Sequence, residues 1–263
     1  MKRVDFFLYS PGGNITAIVP LPFNEYNRHL IASRIMKSYP NIEQVGFVNN
    51  YQEQAWIEFM MMGDELSGNG LASLGMYLFD SMSKESESLL VETCGINVNL
   101  STAKKYDSTR RLIRVSFPHL DLELIKLSDL DVVVFPGIAH AVVLDADDQT
   151  DPIVRKIINM MSDLNSRASG VMFVDQIGAE LWKLNPYVFV SSTNTLVQET
   201  ACSTGSIAAA YFLRHSFSMS VVDIIQPSQE NITIEFQTNN VTEFLVSVGF
   251  LGKYSFRANI PSS

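Results

Sequence analysis

Short runs in which apolar and polar residues alternate dominate this chain, and four longer stretches carry helical spacing instead. Val4 to Leu8 and Ile15 to Val19 read as strands around the turn signal Ser10-Pro11-Gly12-Gly13. Phe23 to Ser38 has the period of a helix, with Asn24 as the candidate N-cap. Strands follow at Val45 to Val48 and Trp56 to Met61, then an apolar helix from Gly68 to about Ser81. Further strands are predicted at Leu89 to Thr93, Ile96 to Leu100 and Leu112 to Ser116. That order then repeats. Val132 to Phe135 and Ala141 to Leu144 are strands, and Asp151-Pro152 opens a helix, with its cap and first-turn proline, to about Leu164. Gly170 to Val174 and Tyr187 to Val190 are strands, a second strongly apolar helix follows Cys202, and strands lie near Ile224 and over Ile232 to Phe236. Phe244 to Ile260 holds two more strand-like runs, the last expected to return to the first half.

The repetition is also visible in the residues. Asp64-Glu65-Leu66-Ser67-Gly68-Asn69-Gly70 and Glu199-Thr200-Ala201-Cys202-Ser203-Thr204-Gly205 lie 135 positions apart, and each leads into an apolar helix. Gly13 to Val19 and Gly46 match Gly137 to Val143 and Gly170 at a similar offset. A period this long is a duplicated domain rather than a solenoid. The pattern predicts an α+β fold of two pseudo-symmetric halves, each a mostly antiparallel sheet or barrel around a central helix. The halves are expected at 1–120, with a C-terminal strand in 249–263 returning to it, and 121–248. The boundary stretch His119 to Ser128 carries turn and charge signals.

Composition narrows the function classes. At 263 residues with 46% apolar and 18% charged residues, the chain is an ordinary globular protein. A formal net charge of −9 argues against nucleic-acid and anionic-membrane partners. Two cysteines give neither a disulfide framework nor a metal-ligand spacing. No signal-peptide or membrane-spanning run is evident, so a cytoplasmic protein is expected.

The chemistry concentrates at the two helix starts. Unpaired backbone N–H groups and the helix dipole favour an anion there and would lower the pKa of the Cys202 thiol. If the halves face each other, both starts converge on one cleft. A substrate carboxylate would sit on the amides of Gly68, Asn69, Gly70, Ser203, Thr204 and Gly205, with residues 67 and 202 on opposite faces of its α-carbon. Removing a proton from one face and returning one to the other inverts that carbon. Cys94 reads as structural, His29, His119 and His215 as surface residues, and Met60 to Met62 as strand core.

These motifs, with Ser10-Pro11-Gly12-Gly13-Asn14, Glu43-Gln44-Val45-Gly46-Phe47 and Gly137-Ile138-Ala139-His140, resemble the diaminopimelate epimerase-like superfamily of cofactor-independent amino-acid racemases and epimerases. The resemblance spans nearly the whole chain. It implies a thiol/thiolate pair working without pyridoxal phosphate or metal, an amino-acid substrate and a homodimer. It makes Cys202 the second catalytic cysteine, and Asn14, Gln44 and His140 pocket positions. The arginine that holds a distal carboxylate in diaminopimelate epimerases is replaced by Asn194. Glu199 and the Glu43 run look more like the histidine racemases that begin opine-type metallophore synthesis. Glu43 is a candidate for holding a cationic substrate group, against a solvated strand-edge charge. Ser67 stands where the family has its first cysteine. Three readings of it are open: an introduced Cys-to-Ser replacement, a natural one-base isomerase or dehydratase, and a non-catalytic small-molecule binder.

Overall fold

A computed structural model describes residues 2–20, 25–50, 57–81, 88–164, 166–178, 181–192, 194–237 and 242–258. The first half holds β1 (Lys2–Pro11), β2 (Thr16–Val19), α1 (Glu25–Ser38), β3 (Gln44–Asn50), β4 (Ile57–Met61), α2 (Gly68–Ser81), β5 (Leu89–Thr93), β6 (Ile96–Lys105) and β7 (Arg110–Phe117). The second holds β8 (Glu123–Leu127), β9 (Leu130–Phe135), β10 (Ile138–Leu144), α3 (Asp151–Met160), β11 (Ala168–Gln176), β12 (Leu181–Val190), β13 (Thr195–Gln198), α4 (Ser203–Phe217), β14 (Val221–Ile225) and β15 (Asn231–Phe236). A last strand, β16 (Thr242–Ala258), belongs to both. The expected Asn24 cap, Trp56 and Ile260 lie outside the described residues.

Strands β1 to β7 are neighbours in order, and β16 pairs with both β7 and β1, so eight strands close into a barrel. Most pairings are antiparallel, with β2–β3 and β4–β5 parallel. The other sheet runs β16-β15-β14-β12-β11-β10-β9-β8 and repeats the scheme, with β10–β11 and β12–β14 parallel. Each sheet wraps a helix. From Gly68 to Met76 every residue of α2 is buried, as is every residue of α4 from Ser203 to Ala210. An all-round buried helix needs an all-round apolar sequence, which these two segments supply. Glycines make the fit possible. A Cβ on Gly70 would lie 2.5 Å from Met61 Sδ, and one on Gly46 would strike the Phe59 ring, so strand, ring and helix close on one another only without those side chains.

Three sequence expectations need correction. The tail is one strand rather than two runs. Thr242 to Val246 pair with β15, while Val248 to Ala258 pair with β1, and the register shifts by one residue at Leu251 and Gly252. That bulge bends a single strand enough to serve both sheets. The stretch His119 to Ser128 is not merely a connection, because it contains β8, hairpinned to β9 through Ser128 in the left-handed region (φ 54°). Ile125 and Leu127 pack on a core while Glu123 and Lys126 blunt an edge, so burial outweighed the charge signal. Helix α3 has Thr150 at its N-cap position, without a capping side-chain hydrogen bond, and Asp151 as its first residue, and it ends at Met160 before a 3₁₀ turn over Ser162–Leu164. No helix of the described residues is long and apolar enough to cross a membrane.

Candidate active site

Each central helix begins at a residue whose side chain caps it. Cys202 is the N-cap of α4, in extended backbone, and its Sγ accepts the Gly205 N–H at 3.3 Å. Ser67 takes the equivalent place before α2, its Oγ accepting the Gly70 N–H at 3.0 Å. The two starts press directly together, since a Cβ on Gly68 would lie 2.5 Å from that of Ser203. Asn69 fastens them: its Oδ1 accepts the Ser203 N–H at 3.2 Å and the Ser203 hydroxyl at 2.5 Å, and its Nδ2 donates to Ala201 O at 2.8 Å.

Between the starts lies a narrow cavity of about 30 Å³, room for one or two water molecules. Of the residues expected from sequence, Glu43, Gln44, Ser67, Asn69, Glu199, Cys202 and Thr204 line it. Asn14, Gly68, Gly70, His140, Ser203 and Gly205 are buried one layer behind. Asn14 Oδ1 accepts from Gln44 Nε2 at 2.9 Å, and Ser67 in turn donates to Gln44 Oε1 at 2.5 Å. His140 meets Thr204 Oγ1 through Nε2 at 3.1 Å, and Thr204 Oγ1 lies 3.6 Å from Cys202 Sγ. Burial holds the His140 imidazole neutral, its pKa pushed down to about 3.

Electrostatically the site is acidic. Glu43 reaches across the halves, accepting the Thr200 N–H at 2.8 Å and the Thr200 hydroxyl at 2.6 Å, so it clamps two loops while lining the cavity. Burial raises its carboxyl, against those hydrogen bonds. Glu199 is pushed up to about 8 by burial and by the Glu43 charge. Glu65 is pushed up to about 7, again by burial first. The Cys202 thiol departs from the sequence expectation. Burial and the adjacent Glu199 carboxylate raise it well above its ordinary value, and the Gly205 N–H opposes them without prevailing. Helix-start geometry favours a thiolate, but desolvation beside a carboxylate outweighs it here.

Sequence reasoning missed part of the wall. Glu65 stands two residues before Ser67, inside a motif noted only for its neighbours. Val188 and Val190 on β12, and Thr195 and Val197 leading to Glu199, face the cavity with the period of two that strands impose. The signal was present, but β13 reads in sequence only as an apolar approach to Cys202. His119 and His215 are exposed as expected, His29 is half-buried, Cys94 is a half-buried free thiol, and Met62 lines the cavity rather than only filling core. Among the described residues no group of His, Cys, Asp or Glu side chains is disposed to hold a metal ion.

The chain is similar to known proteins. Two histidine racemases, from two strains of Fusobacterium nucleatum subsp. nucleatum, are 26% identical over 243 residues and 28% identical over 245, each alignment covering 87% of this chain and 88% or 87% of the relative. The crystal structure of a hydroxyproline epimerase from Agrobacterium vitis superposes with a TM-score of 0.67 at 11% identity, covering 97% of this chain and 91% of that one, and so shares the fold. The model of the histidine racemase CntK N-terminal domain matches residues 3–249, and the chain belongs to that family.

Proposed function

We propose that the protein is a cofactor-independent amino-acid racemase acting on histidine, its reaction centre lying between Ser67 and Cys202. The observation that carries this reading is the pair of helix starts, each capped by a side chain able to carry a proton and both opening on one cavity. Of the first-turn N–H groups, those of Gly70, Ser203 and Gly205 are met by Ser67, Asn69 and Cys202, and the amides of Gly68, Asn69 and Thr204 suit an α-carboxylate. Glu199, beside Cys202, is in its ionised form the acceptor for the thiol proton; its carboxyl ionises near 8, and the transfer gives a thiolate to abstract the α-proton from one face. Ser67 faces the same cavity from the other helix, but its hydroxyl donates to an amide oxygen and accepts an amide N–H, neither of which makes it a base. Inversion is therefore slow as the chain stands, because only one of the two groups exchanges protons readily.

The division at 1–120 and 121–248, with the end of β16 returned to the first part, is proposed on the same symmetry. A homodimeric assembly and a cytoplasmic setting are proposed from the family resemblance, and sedimentation velocity and cell fractionation test them. The reaction itself is tested by α-deuteration of L- and D-histidine in deuterated water, followed by proton NMR. Failure of both enantiomers to exchange, on the protein and on its Ser67→Cys variant, would dismiss the racemase reading.

A further inference from the structure

With the α-carbon between Ser67 and Cys202 and the carboxylate on the helix starts, the substrate's side chain has one direction left. It must enter the part of the cavity walled by Met62, Leu66, Ile138, Val188, Val190 and Val197. Among the described residues, Glu65 is the only charged one set into that apolar wall. It is 5% exposed, and its Oε2 accepts the Gly63 N–H at 2.9 Å. A Cβ on Gly63 would lie 2.6 Å from Val190 Cγ1 and 2.7 Å from Glu65 Oε2, so carboxylate and valine share one corner. The turn at Gly63 needs an acceptor there but not a charge; an amide oxygen would do as well.

The rest of the cavity makes that charge harder to account for without a ligand. Glu43, Glu65 and Glu199 all line it, and among the described residues no lysine, arginine or histidine does. Glu199 is 8% exposed, and its Oε2 is buried without a hydrogen-bond partner. Three carboxyls buried around one space, one oxygen of them unmet, are costly to ionise together unless a bound molecule brings positive charge and N–H donors. Glu43 is engaged with Thr200, and Glu199 stands beside the thiol. Glu65, held through Oε2 by the Gly63 N–H, is the carboxyl placed to meet a side chain.

We propose that Glu65 determines substrate specificity, its carboxylate receiving a ring N–H of a basic aromatic side chain whose faces pack on Val188 and Val190. The identification of that side chain as imidazole rests on the histidine-racemase reading; the role of Glu65 as receiver of an N–H donor does not. Charge-assisted hydrogen bonds of this kind are the strong ones, and a planar ring between β-branched residues loses little freedom.

The test compares L-histidine with L-2-thienylalanine, a neutral ring of the same shape without an N–H, by calorimetric titration into the unmodified protein and into Glu65→Gln. Glutamine keeps an acceptor for Gly63, so the turn is preserved. Histidine binding is expected to weaken at least tenfold in Glu65→Gln while thienylalanine binding stays within twofold. In the Ser67→Cys background the same substitution should raise KM for histidine and leave kcat within about threefold. Equal weakening of both ligands would assign Glu65 a merely structural role, and unchanged histidine binding, or none by the unmodified protein, would overturn the proposal. Histidine binding that depends on Glu65 without any α-exchange would leave Glu65 standing and remove the racemase reading instead.

Discussion

Ser67 and Cys202 do the same structural work, each accepting the N–H of a glycine three residues on. Ser67 also donates to Gln44 Oε1 at 2.5 Å, so replacing it alters that bond as well as the acid/base chemistry while the cap is kept. Ser67→Cys is expected to raise histidine inversion by about 10²- to 10⁴-fold, the usual worth of a positioned acid/base group. Its Tm should hardly move, because a thiol already serves as this cap at Cys202. Inversion is followed by circular dichroism, and stability by thermal melts of both forms. Glu199 gives a pH prediction. Its carboxyl titrates near 4.5 when unfolded and near 8 when folded, so between those values the folded state holds the extra proton. Stability from this group is present in full below about pH 4.5 and is lost as pH rises through 8. Melts of the ligand-free protein at pH 5, 7 and 9 should therefore decline, and Glu199→Gln should flatten that decline. At this scale the sequence revealed which residues would meet but not their ionisation. The position of Cys202 at a helix start, and Glu199 three residues before it, were legible; the depth at which both lie depends on strands contributed from far along the chain.

Among the elements, the two central helices matter most, and their contact is a glycine against a serine. Gly68→Ala puts a Cβ 2.5 Å from that of Ser203, where neither helix can retreat from its sheet. Overpacking of this kind costs about 1–3 kcal/mol, and it should also part Asn69 from Ser203 and lower activity beyond the loss in stability. Gly249→Ala is the control, since a Cβ there meets nothing within 4 Å. Urea denaturation and racemase assays of the two variants read the difference. Helical and strand periods identified both central helices and most of the barrel, because those segments bury whole faces. The elements that escaped were of another kind. Strand β8 is short and half-exposed on an edge, β13 is four residues long, and β16 is a single strand shared by two sheets. Their pairing is decided by partners that no local pattern names.

For the whole molecule, the duplication explains why a site exists at all. Each sheet wraps one helix, and only the two halves placed face to face bring two helix starts to one cavity. Strand β16, paired with β15 and β7 at one end and with β1 at the other, joins the halves through the sheet itself. The cavity is narrow, so a substrate bound between the halves would lie against both helix starts. A single reactive thiol at that place has a stereochemical consequence. Cys202 reaches one face of the α-carbon, so in deuterated water the unmodified protein should deuterate one enantiomer of histidine and leave the other almost untouched. Cys202→Ser should abolish that exchange, and Ser67→Cys should extend it to both enantiomers with inversion. Equal exchange of the two enantiomers by the unmodified protein, or exchange that survives Cys202→Ser, would contradict a reaction centred between these two helix starts.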